Sequence, residues 1–261
     1  MNKFYNFINQ DELYIYGDIV GGTEKFDESD VTFVDFKDKL DTLREGSTLN
    51  LFINSGGGSV VATQGIIGLI NKAKRDKGIK INCTIDGLAG SCASWLPMIA
   101  DNIYCYNTSL MMVHKPMVGF FMEMLNANEL QKNIDLLDKI EEAMLNAYEG
   151  KFKNTTREEF KALVDKETWL TAQEMCDLFD ITLLEDSKQL VAKVSKEVLD
   201  SYKNAPKEVL DALESEKEEQ KEIETKEELV EEIETTKEDK SLDDEIENKR
   251  KLLDLELALL W

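Results

Sequence analysis

This sequence lacks the clustered cysteines and histidines that usually hold a structural metal. Its 261 residues include one histidine and four cysteines, at Cys83, Cys92, Cys105 and Cys176. No C-x-x-C spacing and no neighbouring histidine accompanies them, whereas zinc sites and disulfide frameworks normally need such clustering. We therefore expect four reduced thiols in a cytosolic protein, with no bound metal and no other cofactor.

Positive charge is also scarce, with 31 Lys and Arg residues against 53 Asp and Glu residues and a formal net charge of −22. A negative potential of this size repels phosphate groups, and no stripe of Lys or Arg interrupts it. No window reaches the run of about 18 apolar residues that a membrane helix needs, and residues 1–10 do not read as a signal peptide. We expect no nucleic-acid partner, no membrane association and a cytoplasmic location.

Short β-branched or aromatic runs alternate with helical periods along the first three quarters of the chain, which is typical of α/β architecture. The pattern predicts strands at 12–20, 49–53, 79–85, 102–106 and 110–114, and helices at 30–43, 59–74 and 91–100. A long amphipathic helix is predicted from 128 to Gly150. Capping boxes at Thr156 and Thr171 predict two further short helices.

The composition changes near residue 200, and we divide the chain there. Residues 1–200 form the predicted α/β domain. Residues 201–261 hold 21 acidic and 10 basic residues, and few apolar residues precede Leu242. We expect an acidic arm over 201–245 that is disordered or transiently helical, because such a segment buries too little to offset its ordering entropy. The leucine-rich end, 246–261, predicts an amphipathic helix.

The one histidine, His114, ends a predicted strand and shares a face with Leu110 and Met112 by the two-residue period of a strand. In open α/β sheets the reactive site forms beyond the carboxyl ends of the strands. A general base would be held at that place. A purely structural histidine is the alternative, and the motifs around it favour the base.

A serine candidate lies in Asp86-Gly-Leu-Ala-Gly-Ser-Cys-Ala-Ser-Trp95, which runs from a strand through small residues into a helix. Ser91 falls near the first helical turn, where unpaired N–H groups and the helix dipole stabilise an alkoxide and its oxyanion. Helix capping would explain Ser91 equally well. Ser94, one turn further along, is the competing nucleophile.

Three consecutive glycines follow another predicted strand, in Ile53-Asn-Ser-Gly-Gly-Gly-Ser59. Glycine lets backbone N–H groups point at a ligand, as phosphate loops and oxyanion holes both require. No Gly-Lys-Ser/Thr follows, so the motif is not a nucleotide-binding loop. An oxyanion hole is the remaining interpretation.

Four motifs together resemble the proteolytic subunit of the Clp protease, and especially the head maturation protease encoded in phage head-assembly modules. They are Asn54-Ser-Gly-Gly-Gly, Gly87-Leu-Ala-Gly-Ser91, Met112-Val-His-Lys-Pro and Glu167-Thr-Trp-Leu-Thr-Ala172, and the resemblance covers residues 12–190. It implies a serine endopeptidase with a crotonase-like spiral of strands and helices. Ser91 would be the nucleophile and His114 the base. The backbone N–H groups of Gly57 and Cys92 would form the oxyanion hole.

The third member of the catalytic triad departs from the family pattern. The family's aspartate precedes an aromatic residue by two positions and an alanine by five, and here those anchors are Trp169 and Ala172. Glu167 therefore occupies the matching position, with Asp165 as the alternative. A glutamate can stabilise an imidazolium electrostatically, although its extra methylene changes the reach.

The same resemblance implies protein substrates, here capsid or scaffold proteins processed during phage head maturation in the host cytoplasm or assembling capsid. It also implies a homo-oligomeric ring, a heptamer or two stacked heptamers. Leu125, Leu136 and Leu145 lie off the main apolar stripe of the long helix and would be available to a neighbouring subunit. An ATPase partner is not expected, because the first matching strand begins within about a dozen residues of the start. A crotonase-type acyl-CoA enzyme and a catalytically idle scaffold are the alternative functions.

Overall fold

The computed structural model describes residues 11–21, 31–119, 124–185 and 202–206. All of them belong to the unit of residues 1–210, and the other unit, 211–261, lies outside the described residues. The predicted C-terminal helix and all of the acidic arm except 202–206 therefore also lie outside them. Among the described residues no helix is long and apolar enough to cross a membrane.

Strands and helices alternate along the described chain. The strands are β1 (Glu12–Tyr16), β2 (Thr48–Ser55), β3 (Lys80–Gly90), β4 (Asn102–Cys105), β5 (Leu110–Val113), β6 (Thr168–Thr171) and β7 (Thr182–Leu183). The helices are α1 (Phe33–Thr42), α2 (Val60–Lys77), α3 (Trp95–Met98), α4 (Ala127–Glu149), α5 (Arg157–Asp165) and α6 (Ala172–Leu178), and a 3-10 turn at Ser91–Ser94 precedes α3. This order confirms the predicted α/β fold class.

One sheet contains all seven of these strands, in the order β1-β2-β3-β4-β7, with every pair along that path parallel. Strand β3 is long enough to pair twice. Its first half pairs with β4, and its last three residues pair in parallel with β5. Strand β6 then adds to β5 in the antiparallel direction. The sheet thus turns at β3. This turn brings the C-terminal ends of β3 and β5 together with the N-terminal end of β6.

The hydrophobic core lies between the sheet and its helices. Alternate residues of the central strands are fully buried, as in Leu49, Leu51 and Ile53 of β2. Helix α2 packs Ile66 and Ile70 against them. Burying each such side chain contributes roughly 1.5–3 kcal/mol, so the core holds the strand ends, and the loops that follow them, in fixed positions.

Element boundaries differ from the predicted ones where local signals are weak. The predicted helix 91–100 is a 3-10 turn followed by the single turn α3. Strands β6 and β7 were not predicted, because β6 ends on Thr171, whose capping box marks the start of α6, and β7 has only two residues. Both capping boxes are confirmed: the side chains of Thr156 and Thr171 each accept from the backbone N–H three residues on, and α5 and α6 begin directly after them.

Helix α4 has two different halves. Its C-terminal half packs into the core through Met144, Leu145 and Tyr148. The expectation that Leu145 faces a neighbouring subunit is therefore wrong, because its side chain is fully buried in its own fold. The N-terminal half instead exposes apolar side chains, with Ile134 50% and Leu136 53% exposed.

Candidate active site

The end of β3 and the end of β5 bring a serine and the one histidine together. Gly90, the last residue of β3, pairs with Met112 of β5, so the residues that follow lie side by side at this edge. Ser91 Oγ lies 2.7 Å from His114 Nε2. A hydrogen bond of this length between a hydroxyl and an imidazole is the arrangement that prepares a serine for nucleophilic attack.

Ser91 has an unusual backbone. Its φ is 50°, in the left-handed region that residues other than glycine rarely adopt. Glycines allow this close turn, because a Cβ at Gly90 would lie 2.9 Å from the Gly56 oxygen, and one at Gly57 would lie 2.8 Å from the Ser91 Cβ. The strand end and the glycine loop thus approach each other at van der Waals distance around the serine.

His114 is held in a nearly buried position, with 9% of its surface exposed. Burial lowers the pKa of the imidazole from its ordinary value of 6.5, and the nearby Glu167 carboxylate opposes that effect in part. A lowered pKa keeps the ring neutral at neutral pH. His114 can therefore accept a proton from Ser91, as a general base must.

Strand β6 explains why Glu167 lies near the histidine. In the antiparallel pairing Val113 faces Thr168, so His114 and Glu167 are the next residues across the two strands. Glu167 also has a left-handed backbone, with φ 52°. Its Oε1 accepts a hydrogen bond from the Asn204 N–H at 2.6 Å. Among the described residues no hydrogen bond joins this carboxylate to the imidazole.

The first predicted oxyanion donor, the Gly57 N–H, has a partner inside its own loop. It donates to Ser55 Oγ at 3.1 Å. Ser55 is itself anchored, because its hydroxyl donates to the Gly17 carbonyl at 2.6 Å. The Cys92 nitrogen does lie beside the glycine loop, 3.2 Å from a Cβ built on Gly57.

Comparison with known proteins identifies the family of the chain. Residues 26–178, more than half of the chain, match the Clp protease family. The chain belongs to the Clp protease family. Its structure is similar to that of a ClpP1 point mutant from Listeria monocytogenes, with a TM-score of 0.53 and 19% identity over 68% of this chain and 92% of that one. At this identity the likeness concerns the fold alone. No curated protein is significantly similar in sequence.

Ser94, the alternative nucleophile, has a structural place in this Clp-family fold. It is completely buried. Its Oγ contacts the Ser91 carbonyl oxygen and the Tyr148 hydroxyl through short hydrogen bonds. Ser94 therefore braces the turn that carries Ser91, and it has no contact with the imidazole.

Asp165, the alternative third member, points toward lysines. It ends helix α5, is exposed, and forms ion pairs with Lys115 at 2.8 Å and Lys161 at 3.6 Å. The hydrogen bond with Lys115 lowers the pKa of this carboxyl. Of the two acidic candidates, the structure brings only Glu167 close to the imidazole.

The nearby thiol of Cys92 is not a competing nucleophile. Burial raises its pKa to about 11, so the reactive thiolate is scarce at neutral pH. The Gly58 backbone lies within hydrogen-bonding reach of this thiol. All four cysteines are free, and among the described residues no group of three His, Cys, Asp or Glu side chains could hold a metal ion.

Two site residues were not predicted, and both come from the segment 202–206, which was assigned to the acidic arm. The Tyr202 hydroxyl donates to the Gly56 carbonyl oxygen. Its ring centroid lies 5.2 Å from that of His114. Asn204 contacts Glu167, as described above. No local pattern marks either residue, because their position depends on how a distant part of the chain folds back.

Proposed function

We propose that this chain is a serine endopeptidase. Membership of the Clp protease family supports a peptidase. The observation that supports the serine type is the 2.7 Å contact between Ser91 Oγ and His114 Nε2. An acyl-CoA enzyme would not need this pair, and an idle scaffold would have no reason to hold a serine with a left-handed backbone against the one histidine.

The proposed reaction has two halves. Ser91 Oγ attacks the peptide carbonyl carbon while His114 Nε2 takes the hydroxyl proton, giving a tetrahedral intermediate. The carbon–nitrogen bond then breaks, and His114 gives its proton to the leaving amine. Water then attacks the acyl carbon while the same imidazole takes its proton. The bond from that carbon to Ser91 Oγ breaks, His114 returns the proton to Ser91 Oγ, and the second product leaves as a carboxylic acid.

Glu167 is the proposed third member. Its carboxylate lies close enough to influence the imidazole electrostatically. A negative charge there stabilises the imidazolium that forms when His114 accepts the serine proton. Oε1 of this carboxylate accepts from the Asn204 N–H, which leaves Oε2 as the acceptor for the ring N–H at Nδ1.

The backbone N–H of Cys92 is the proposed oxyanion donor, because it lies beside the glycine loop and follows the nucleophile directly. The Gly57 N–H could join it only if Ser55 released it. Preorganised donors of this kind stabilise the charge that develops on the carbonyl oxygen.

We also propose that the substrates are proteins and that the chain assembles into a ring-shaped homo-oligomer. The resemblance to phage head maturation proteases supports capsid or scaffold proteins as the substrates, in the cytoplasm of the host or in the assembling capsid. The exposed apolar half of α4 supports self-association, for which a heptamer or two stacked heptamers is the arrangement we propose.

Labelling with a fluorophosphonate tests the proposed chemistry, since this reagent modifies only an activated serine. We expect covalent labelling at Ser91, located by peptide mass spectrometry, and none in Ser91→Ala. Labelling elsewhere or not at all, in every variant of the chain, would contradict the proposal and favour the acyl-CoA or scaffold alternative.

A further inference from the structure

The segment 202–206 lies in the candidate active site, where it contacts Gly56 of the glycine loop, His114 and Glu167. We propose that it is an intramolecular plug, which occupies the substrate-binding position and holds the enzyme in an inactive state until it is displaced. This inference rests on the proposed function and concerns the regulation of the same site.

Tyr202 occupies the place next to the nucleophile. Its side chain is buried, with 8% of the residue exposed. The hydroxyl donates to the carbonyl oxygen of Gly56, in the glycine loop that lies against the backbone of Gly90 and Ser91. A productive substrate must place a carbonyl carbon about 3 Å from the serine oxygen. A phenol hydroxyl has no acyl group to transfer, so this contact blocks the position without being cleaved.

The Tyr202 ring also covers the base. It meets the His114 ring edge-to-face, with interplanar angle 69°, and it lies 6.1 Å from the Trp169 ring at 74°. Such edge-to-face pairs are favourable beyond their buried area. A substrate chain crossing Ser91 and His114 would have to displace this ring.

Asn204 forms a hydrogen bond with Glu167, the proposed third residue of the catalytic triad. Its backbone N–H donates to Glu167 Oε1 at 2.6 Å, and its side-chain Nδ2 donates to the Lys166 carbonyl oxygen at 2.9 Å. A backbone N–H bonded to a carboxylate holds that group strongly. The contact ties the segment 202–206 to the acidic residue of the proposed triad.

The opposite interpretation is that the segment completes the site by positioning Glu167 and the glycine loop. Two observations favour the plug. The buried Tyr202 ring packs against the imidazole while its hydroxyl bonds the glycine loop, and no hydrogen bond joins the Glu167 carboxylate to His114 in the described part of the chain. A supporting segment would leave the nucleophile open and orient the carboxylate toward the ring.

The rate of fluorophosphonate labelling of the full-length chain distinguishes these interpretations. Tyr202→Ala removes the ring and hydroxyl, and Asn204→Pro removes the N–H that binds Glu167. If the plug is closed about nine-tenths of the time, opening it raises the labelling rate about tenfold. Lys203→Ala is the matched control, because Lys203 is exposed in the same segment, and we expect it to label at the wild-type rate.

Equal or slower labelling of both Tyr202→Ala and Asn204→Pro, with wild type labelled at Ser91, would overturn the plug while leaving the proposed function intact.

A second measurement does not depend on activity. Because His114 is the one histidine, its imidazole can be titrated by NMR without overlap. Removing the ring of Tyr202 should hydrate the imidazole and raise its pKa. An unchanged titration in Tyr202→Ala would overturn the plug even if no variant were labelled.

Discussion

At the scale of single residues, the two serines of the turn differ in what surrounds them. Ser91 contacts the imidazole, whereas Ser94 is buried between the Ser91 carbonyl and Tyr148. Ser94→Ala should therefore retain labelling at Ser91 but lower the free energy of unfolding by about 1–3 kcal/mol, because the Tyr148 hydroxyl loses its partner. Labelling together with urea denaturation checks both effects. Loss of labelling in a folded Ser94→Ala protein, with retention in Ser91→Ala, would exchange the two roles.

The two acidic candidates can be separated in the same way. Glu167→Gln removes the charge beside the imidazole and should lower the peptidase rate by a factor of about a hundred or more, since triads are sensitive to this charge. Asp165→Asn removes an exposed partner of lysines and should leave the rate nearly unchanged. Turnover of a fluorogenic peptide by both variants provides the measurement. A slow Asp165→Asn beside an unaffected Glu167→Gln would transfer the role to Asp165.

The pH dependence follows from the environment of His114. Burial lowers its pKa below 6.5, and only the neutral ring can accept the serine proton. The labelling rate should thus rise with pH with a midpoint below 6.5, and activity is lost as pH falls through the lowered pKa. In Glu167→Gln the midpoint should fall further, because the carboxylate raises this pKa. A wild-type midpoint above 6.5 would show that burial is not the dominant influence on the pKa of His114.

At the scale of elements, the sequence predicts those that carry strong periodic or capping signals. Helix α4 was predicted from its apolar spacing, and α5 and α6 from their capping boxes. Strand β6 was missed because its last residue, Thr171, carries the capping signal of the next helix. The position of Glu167 near His114 depends on this strand, so from the sequence alone Glu167 could be placed only through the family pattern.

In the candidate site, too, only the residues with a local sequence signal could be predicted. The Ser91 and His114 positions follow from residues at the ends of strands, which meet at one edge of a sheet. The engagement of the Gly57 N–H by Ser55 could not be predicted, because it depends on the rotamer of one side chain. Tyr202 and Asn204 reach the site through tertiary folding, and no local pattern encodes that path.

The close approach of the glycine loop to β3 gives a prediction for the loop as an element. Gly57 has φ 108°, and an added Cβ would lie 2.8 Å from both the Gly90 oxygen and the Ser91 Cβ. Gly57→Ala should lower the free energy of unfolding by about 3 kcal/mol or more and abolish labelling, because the backbone of the nucleophile must move.

Gly68 provides the matched control for that substitution. It lies in α2, and a Cβ there has no atom within 4 Å. Gly68→Ala should stabilise the protein by about 0.5–1 kcal/mol, since alanine is the better helix former. Urea denaturation measures both variants. If Gly57→Ala were as stable as wild type, the loop would have room that the structure does not show.

At the scale of the whole molecule, the described part of the chain exposes an apolar surface on the N-terminal half of α4. We define this surface by Leu130 and Ile134, which are one turn apart on the same face of α4 and are 45% and 50% exposed. Leaving such side chains in water forgoes roughly 1.5–3 kcal/mol for each one that could be buried. A second copy of the chain would cover them, in agreement with the proposed ring.

A charge placed on this surface should prevent that assembly. Wild type should scatter light as a multimer of the 29.8 kDa chain, and Ile134→Glu should shift the mass toward the monomer, because assembly would then bury an unpaired carboxylate. Asn128→Glu adds the same charge on the same half of α4 at an exposed polar position that does not share a face with Ile134, so it should assemble like wild type. A monomeric wild type at working concentration would contradict the ring. Equal masses for all three proteins would show that assembly uses another surface, since a buried interface does not tolerate an unpaired charge at its centre.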